Sequence, residues 1–146
     1  ASTMQFHGEY LHRMDPQGRI AIPVRFRETF KGVAYLTKGL DPCIWAFSIL
    51  SWEAWSSSIA AMPPTSRRAR VLRRMIFGGA FDLTLDRQGR VLMPPPLRRY
   101  ANLTDEVVLV GAGNFLELWD RRRWEEELPH IEEAASQLAD SVEEPH

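Results

Sequence analysis

Residues 6–27, FHGEYLHRMDPQGRIAIPVRFR, return at residues 77–98 as FGGAFDLTLDRQGRVLMPPPLR, without a gap and at an offset of 71. Eight of the 22 positions are identical: Phe6/Phe77, Gly8/Gly79, Asp15/Asp86, Gln17/Gln88, Gly18/Gly89, Arg19/Arg90, Pro23/Pro94 and Arg27/Arg98. Tyr10/Phe81, Met14/Leu85, Ile20/Val91 and Phe26/Leu97 keep their apolar character. The match resumes at an offset of 72, pairing Leu36 with Val108, Gly39 with Gly111, Phe47 with Trp119 and Trp52 with Trp124. Self-similarity at a fixed spacing marks a duplicated structural unit, so one reading serves both copies.

In each copy a strand is expected first, over 9–14 and 80–85. Asp15-Pro16-Gln17-Gly18 and Asp86-Arg87-Gln88-Gly89 then have the chemistry of a turn: Asp accepts nearby backbone N–H groups, Pro suits the second position and Gly the last. A second strand follows over 19–22 and 90–93. Pro23 and Pro94 end it and open a short helix, over 24–30 and 95–101, because a first helical turn tolerates Pro. A hairpin completes the copy, 33–38 returning as 43–47 and 107–110 returning as 115–119. After the hairpins, Ser51 is expected to cap a helix over 52–62, and Asp120 one over 121–128 that Pro129 stops. Thr65 or Ser66 caps a connecting helix to about Phe77. The fold class is therefore mainly β with short helices (α+β). A four-stranded unit buries too little apolar surface to stand alone, so the copies are expected to interlock as one pseudo-symmetric barrel. The organisation expected is a first repeat with its helix over 4–62, a connector over 63–76, a second repeat over 77–130 and an acidic tail over 131–146, helical and then frayed.

Composition narrows the function. At 45% apolar and 25% charged residues the chain is an ordinary globular one, and no run approaches the ~20 apolar residues that span a bilayer. One cysteine, Cys43, forms no internal disulfide and suits a reducing, cytoplasmic compartment. Ala1–Thr3 precede Met4, the expected native start. The net charge of −1 averages two unlike regions. Residues 125–146 hold eight acids and no Lys or Arg, leaving residues 1–124 with 18 basic against 11 acidic side chains, a balance of +7. Sixteen of the 18 bases are Arg, whose planar donor fork suits phosphate oxygens and guanine edges.

These residues resemble the MraZ family, whose members carry two AbrB-like swapped-hairpin motifs. The resemblance covers residues 4 to about 130. It rests on Phe6-His7-Gly8-Glu9, Asp15-Pro16-Gln17-Gly18-Arg19, Pro23 and Phe26-Arg27 in the first copy. In the second it rests on Asp86-Arg87-Gln88-Gly89-Arg90, Pro94, Leu97-Arg98 and the hairpin over 107–119. It implies a barrel of double-ψ type, a homo-oligomeric ring, and binding to double-stranded DNA at short direct repeats in a promoter. The implied role is a nucleoid-associated regulator, a repressor of the bacterial cell-division and cell-wall gene cluster. The candidate DNA-binding residues are then Asp15 and Arg19 with Asp86 and Arg90, Arg27 and Arg98 at the short helices, and Arg13, Arg87 and Arg99. Thr84 stands where the first copy has Arg13, and Pro95-Pro96 where it has Val24-Arg25, so the first copy is expected to give the stronger edge.

Other readings compete. An Asp–Arg pair four residues apart also serves simply to brace a turn. The Arg67, Arg68, Arg70, Arg73 and Arg74 cluster is read as the solvated face of the connecting helix, with DNA or another subunit's acidic tail as alternatives. The five Trp are expected in core or subunit contacts. His7 and His12 lack Cys or His partners at zinc spacing, and no cofactor is expected. No nucleophile elbow, phosphate loop or dinucleotide fingerprint is found, which argues against an enzyme. A ring-forming interaction scaffold or an antitoxin-like partner-binding protein is the alternative function.

Overall fold

The computed structural model describes residues 5–143; the expected start at Met4, the residues before it and the end of the acidic tail lie outside the described residues. The first copy supplies β1 (Glu9–Arg13), β2 (Arg19–Ala21), a 3-10 turn (Val24–Phe26) running into α1 (Arg27–Phe30), β3 (Val33–Lys38) and β4 (Ile44–Phe47). Two helices follow, α2 (Ile49–Ala60) and α3 (Arg67–Ile76). The second copy supplies β5 (Phe81–Thr84), β6 (Arg90–Leu92), α4 (Pro95–Ala101), β7 (Glu106–Gly111) and β8 (Leu116–Asp120), and α5 (Arg121–Glu143) ends the chain.

The copies exchange strands. One antiparallel sheet has the order β1-β7-β8-β4-β3-β5, so β1 pairs with the second copy's hairpin and β5 with the first copy's. The hydrogen-bonded ladder runs from β1 to β5, and β2 pairs with β6 in a separate two-stranded ribbon. Pseudo-twofold symmetry shows in the registers. Ile20 faces its own repeat counterpart Val91 in the ribbon, and Trp45 faces Glu117, its counterpart at the offset of 72, in the sheet. Trp45 Nε1 donates to Glu117 Oε2 across that second centre at 3.0 Å.

Alternation along the strands makes two cores. Ile20, Ile22, Val91 and Met93 point inward from the ribbon. They meet Leu36, Ile44, Leu109 and Leu118 from one face of the sheet and Phe26, Phe30 and Leu97 from the short-helix segments. Full burial of such side chains stabilises by about 1.5–3 kcal/mol each, and because both copies contribute, neither completes this core alone. On the other face Trp45, Phe47, Val108, Trp119 and Trp124 form a second cluster with Tyr35, Trp52 and Trp55, covered by α2 and α5. The Trp side chains thus serve as core, as their spacing predicts.

Three expectations are corrected. The helix after β4 starts at Ile49, and Ser48, not Ser51, caps it by accepting from Ser51 N at 3.3 Å. Two serines three apart both qualify as caps, and the one directly at the strand end wins. The helix after β8 runs on through Pro129 to Glu143. Proline there removes the donor for the Glu125 carbonyl, but Glu125 and Pro129 are both exposed, so water can take its place. Finally, Leu36 pairs with Ala46 whereas Leu109 pairs with Leu118, so the counterpart of Leu36 is Leu109, not Val108. The first hairpin loop spans 39–43 and the second only 112–115, which places Gly111 in a strand and Gly39 in a loop.

Candidate nucleic-acid interface

The two turns are near copies in geometry. Asp15 Oδ1 accepts from Gln17 N at 2.9 Å and Arg19 N at 2.8 Å, and Oδ2 accepts from Arg19 Nε at 2.7 Å. Asp86 does the same with Gln88 N at 2.9 Å, Arg90 N at 2.9 Å and Arg90 Nε at 2.8 Å. Each turn closes with a glycine N–H donating to the aspartate carbonyl at 2.9 Å, and Gly18 and Gly89 hold φ of +89° and +73°, a region that favours glycine. The backbone N–H of Arg19, foremost, and then the Arg19 and Gln17 donors hold the Asp15 carboxyl below its ordinary range; Arg90 and Gln88 do the same to Asp86.

This anchoring fixes each arginine through Nε. The terminal nitrogens of Arg19 have no hydrogen-bond partner among the described residues. Period-two alternation sends Ile20 and Val91 into the core, so Arg19 and Arg90 share the outer face of the ribbon, one on each side of the Ile20–Val91 pair. Arg90 Nη1 also lies 3.6 Å from Asp15 Oδ2, an ion pair between the copies. His12 ties β1 to the same ribbon through Nδ1 and the Ala21 carbonyl at 2.7 Å; a carbonyl only accepts, so that nitrogen carries the proton.

The short-helix arginines cross over. Arg27, whose Nε donates to the Ile22 carbonyl at 3.0 Å, runs over Gly89, and Arg98 runs over Gly18. A Cβ on Gly89 would sit 2.3 Å from Arg27 Nε, and one on Gly18 would sit 2.9 Å from Arg98 Nη1. The structure therefore brings Asp15, Arg19, Asp86, Arg90, Arg27 and Arg98 together around the ribbon. Arg87 is exposed at the second position of its turn, and Arg13 is exposed at the end of β1, 3.3 Å from Asp105. Arg99 is exposed on α4 beside Arg98, and among the described residues no hydrogen bond or ion pair ties its side chain to the turns.

Sequence reasoning missed the crossing of Arg27 and Arg98 to the opposite turns and the Asp15–Arg90 contact. The only signal for the crossing was that Gly and Arg recur together in both copies. The result is a concentration of pre-oriented guanidinium groups, suited to binding anionic oxygens and flat hydrogen-bonding edges.

Comparison with known proteins adds an independent line. A family model described as "MraZ protein, putative antitoxin-like" matches residues 5–75 and again residues 76–142. Among similar proteins, one named Transcriptional regulator MraZ from Roseiflexus sp. (strain RS-1) is 40% identical over 139 residues, 95% of this chain and 97% of the relative. One of the same name from Roseiflexus castenholzii is 40% identical over 139 residues, with the same coverage. Another from Herpetosiphon aurantiacus is 41% identical over 137 residues, 94% of this chain and 96% of the relative.

Proposed function

The chain belongs to the MraZ family, and from that premise we propose that it is a sequence-reading, DNA-binding transcriptional regulator and not an enzyme. It acts in the cytoplasm on the nucleoid, repressing the bacterial cell-division and cell-wall gene cluster through direct repeats in the promoter. The observation that carries this reading is the doubled turn: two aspartates hold two arginines by Nε on one face of the ribbon, with guanidinium edges left to meet a ligand. Arg19 and Arg90 read base edges, and Asp15 and Asp86 set their aim. Arg27 and Arg98, with Arg13, Arg87 and Arg99, bind phosphates and fix register. One chain contacts a short site only, so a homo-oligomeric ring spanning several repeats supplies the affinity.

The test is fluorescence anisotropy with a duplex from the division-cluster promoter and a scrambled duplex, at two salt concentrations. Selective binding that weakens steeply with salt, through counterion release, and that is lost in the Arg19→Ala/Arg90→Ala double variant is the expected result. Absence of selective binding would sink the reading and favour an interaction scaffold or an antitoxin-like protein.

A further inference from the structure

The face that α5 commits to the core runs on beyond the body that it covers. Trp124 is buried against Trp119, and Leu128, four residues on, is half-buried in the same cluster. From Pro129 to Ala139 every residue is exposed. Continuing the stripe from Leu128 at spacings of three, four and three residues come Ile131, Ala135 and Leu138, with Ile131 39% and Leu138 65% exposed. That is the spacing of a seam made for another helix. Residues 129–143 extend about 22 Å at 1.5 Å per residue, and a helical stretch of that length is marginal in water unless a face is packed. Glu127 and Glu132 flank the stripe and carry its charge.

A second α5 is a poor occupant, since it would set these acids against their own copies. The basic counterpart is α3. Its inner face holds Ala69 and Ile76, both fully buried, and the Thr37 hydroxyl ties its end to the sheet by donating to the Ile76 carbonyl. The opposite face carries Val71, 45% exposed, with Arg67, Arg68 and Arg74 three or four residues away around it. All three arginines are exposed and have no hydrogen-bond or ion-pair partner among the described residues, unlike Arg70 and Arg73, which donate to carbonyls at the end of α2 and the turn after it. A strip of apolar side chains edged by acids and one edged by arginines are complementary, and on one chain they lie on helices of different repeats.

We propose that the overhanging half of α5 docks on the outer face of α3 in a second copy of this chain, Ile131 and Leu138 packing on Val71 while Glu127 and Glu132 pair with Arg67, Arg68 and Arg74. The contact is head-to-tail, because the two surfaces differ, and repeated contacts of that kind build a ring when the rotation between copies closes and an open filament when it does not. This inference rests on the self-assembly in the function proposed above and assigns it a surface.

The experiment measures mass by light scattering during gel filtration of the full chain, with circular dichroism to check folding. Four proteins are compared: wild type, Arg67→Glu/Arg74→Glu, Glu127→Arg/Glu132→Arg, and all four changes combined. Expected is an assembled wild type, monomers for each reversal alone, and recovery of the assembled mass when the reversals are combined in one chain. An assembled wild type whose mass neither reversal alters overturns this docking and leaves a ring built through another surface. Reversals that dissociate the protein but do not rescue each other overturn the pairing. A wild type that is monomeric at ~100 μM, well above a micromolar dissociation constant, overturns both the docking and the self-assembly beneath it.

Discussion

Asp15 touches arginines of both repeats: Arg19 of its own turn at 2.7 Å and Arg90 of the other at 3.6 Å, whereas Asp86, among the described residues, pairs with Arg90 alone. The pseudo-twofold that relates the turns is thus broken at the ribbon, and one carboxylate orients two candidate base-reading groups.

The expected outcome is an unequal effect of two equivalent substitutions. Asp15→Ala frees Arg19 and strips Arg90 of its second contact, leaving Arg90 held by Asp86 alone, and weakens promoter binding by about tenfold, while Asp86→Ala, which leaves Arg19 anchored and Arg90 its contact to Asp15, weakens it by about threefold. Anisotropy titrations of the two variants check this. Equal losses would show that the cross-repeat contact carries no orientation.

Acidification tests the same carboxylates through stability. Asp15 and Asp86 are held below the ordinary aspartate range in the folded protein, chiefly by the backbone N–H groups of Arg19 and Arg90. At neutral pH they are ionised in both folded and unfolded chains, so their full contribution is present. As the pH falls below about 4 the unfolded chain takes up protons first, and the contribution shrinks, to vanish once the folded carboxyls are protonated too. The gap in thermal midpoint between wild type and Asp15→Asn/Asp86→Asn should be constant from pH 8 to 5 and close on further acidification. A gap that widens in acid contradicts the hydrogen-bond pattern.

The turn glycines give a graded prediction. Alanine at either position adopts a positive φ at a cost of about 1–2 kcal/mol. At Gly18 the new Cβ meets the mobile end of Arg98, but at Gly89 it meets Nε and Cδ of Arg27, at 2.3 and 2.5 Å, and Arg27 Nε is already bonded to the Ile22 carbonyl. Gly89→Ala should therefore lower stability more than Gly18→Ala in urea denaturation, and the reverse order would mean that Arg27 moves aside freely.

The turns were legible in the sequence because their chemistry is local: an aspartate, a glycine with positive φ and an arginine four residues on specify one geometry wherever they occur. The exchange between copies was not. Nothing in residues 9–13 says that they pair with β7 and not with their own hairpin, since the two hairpins offer similar apolar strands, and for the same reason Arg27 gave no sign of crossing to Gly89. The family resemblance implied swapped hairpins, and the registers give the exchange its detail. The misplaced ends of α2 and α5 have a different origin, because a choice between Ser48 and Ser51, or the cost of Pro129, depends on neighbours and exposure that a linear pattern does not contain.

The joint between α3 and the sheet offers a last test. Helix bonds from Phe77, Gly78 and Gly79 end on Arg73, Arg74 and Met75, which leaves Ile76 as the first carbonyl past the ladder. Thr37 supplies its donor at 2.9 Å, and both residues are fully buried. Valine at position 37 keeps the shape, so Thr37→Val isolates the hydrogen bond and the stranded carbonyl, a loss of about 1–3 kcal/mol, while Thr37→Ser retains the hydroxyl and should lose less. The midpoint of urea unfolding, at unchanged slope, reads this difference. If valine matches wild type and serine does not, the methyl group and not the hydroxyl holds α3 to the sheet, and the position of the Arg67–Arg74 face depends on packing alone.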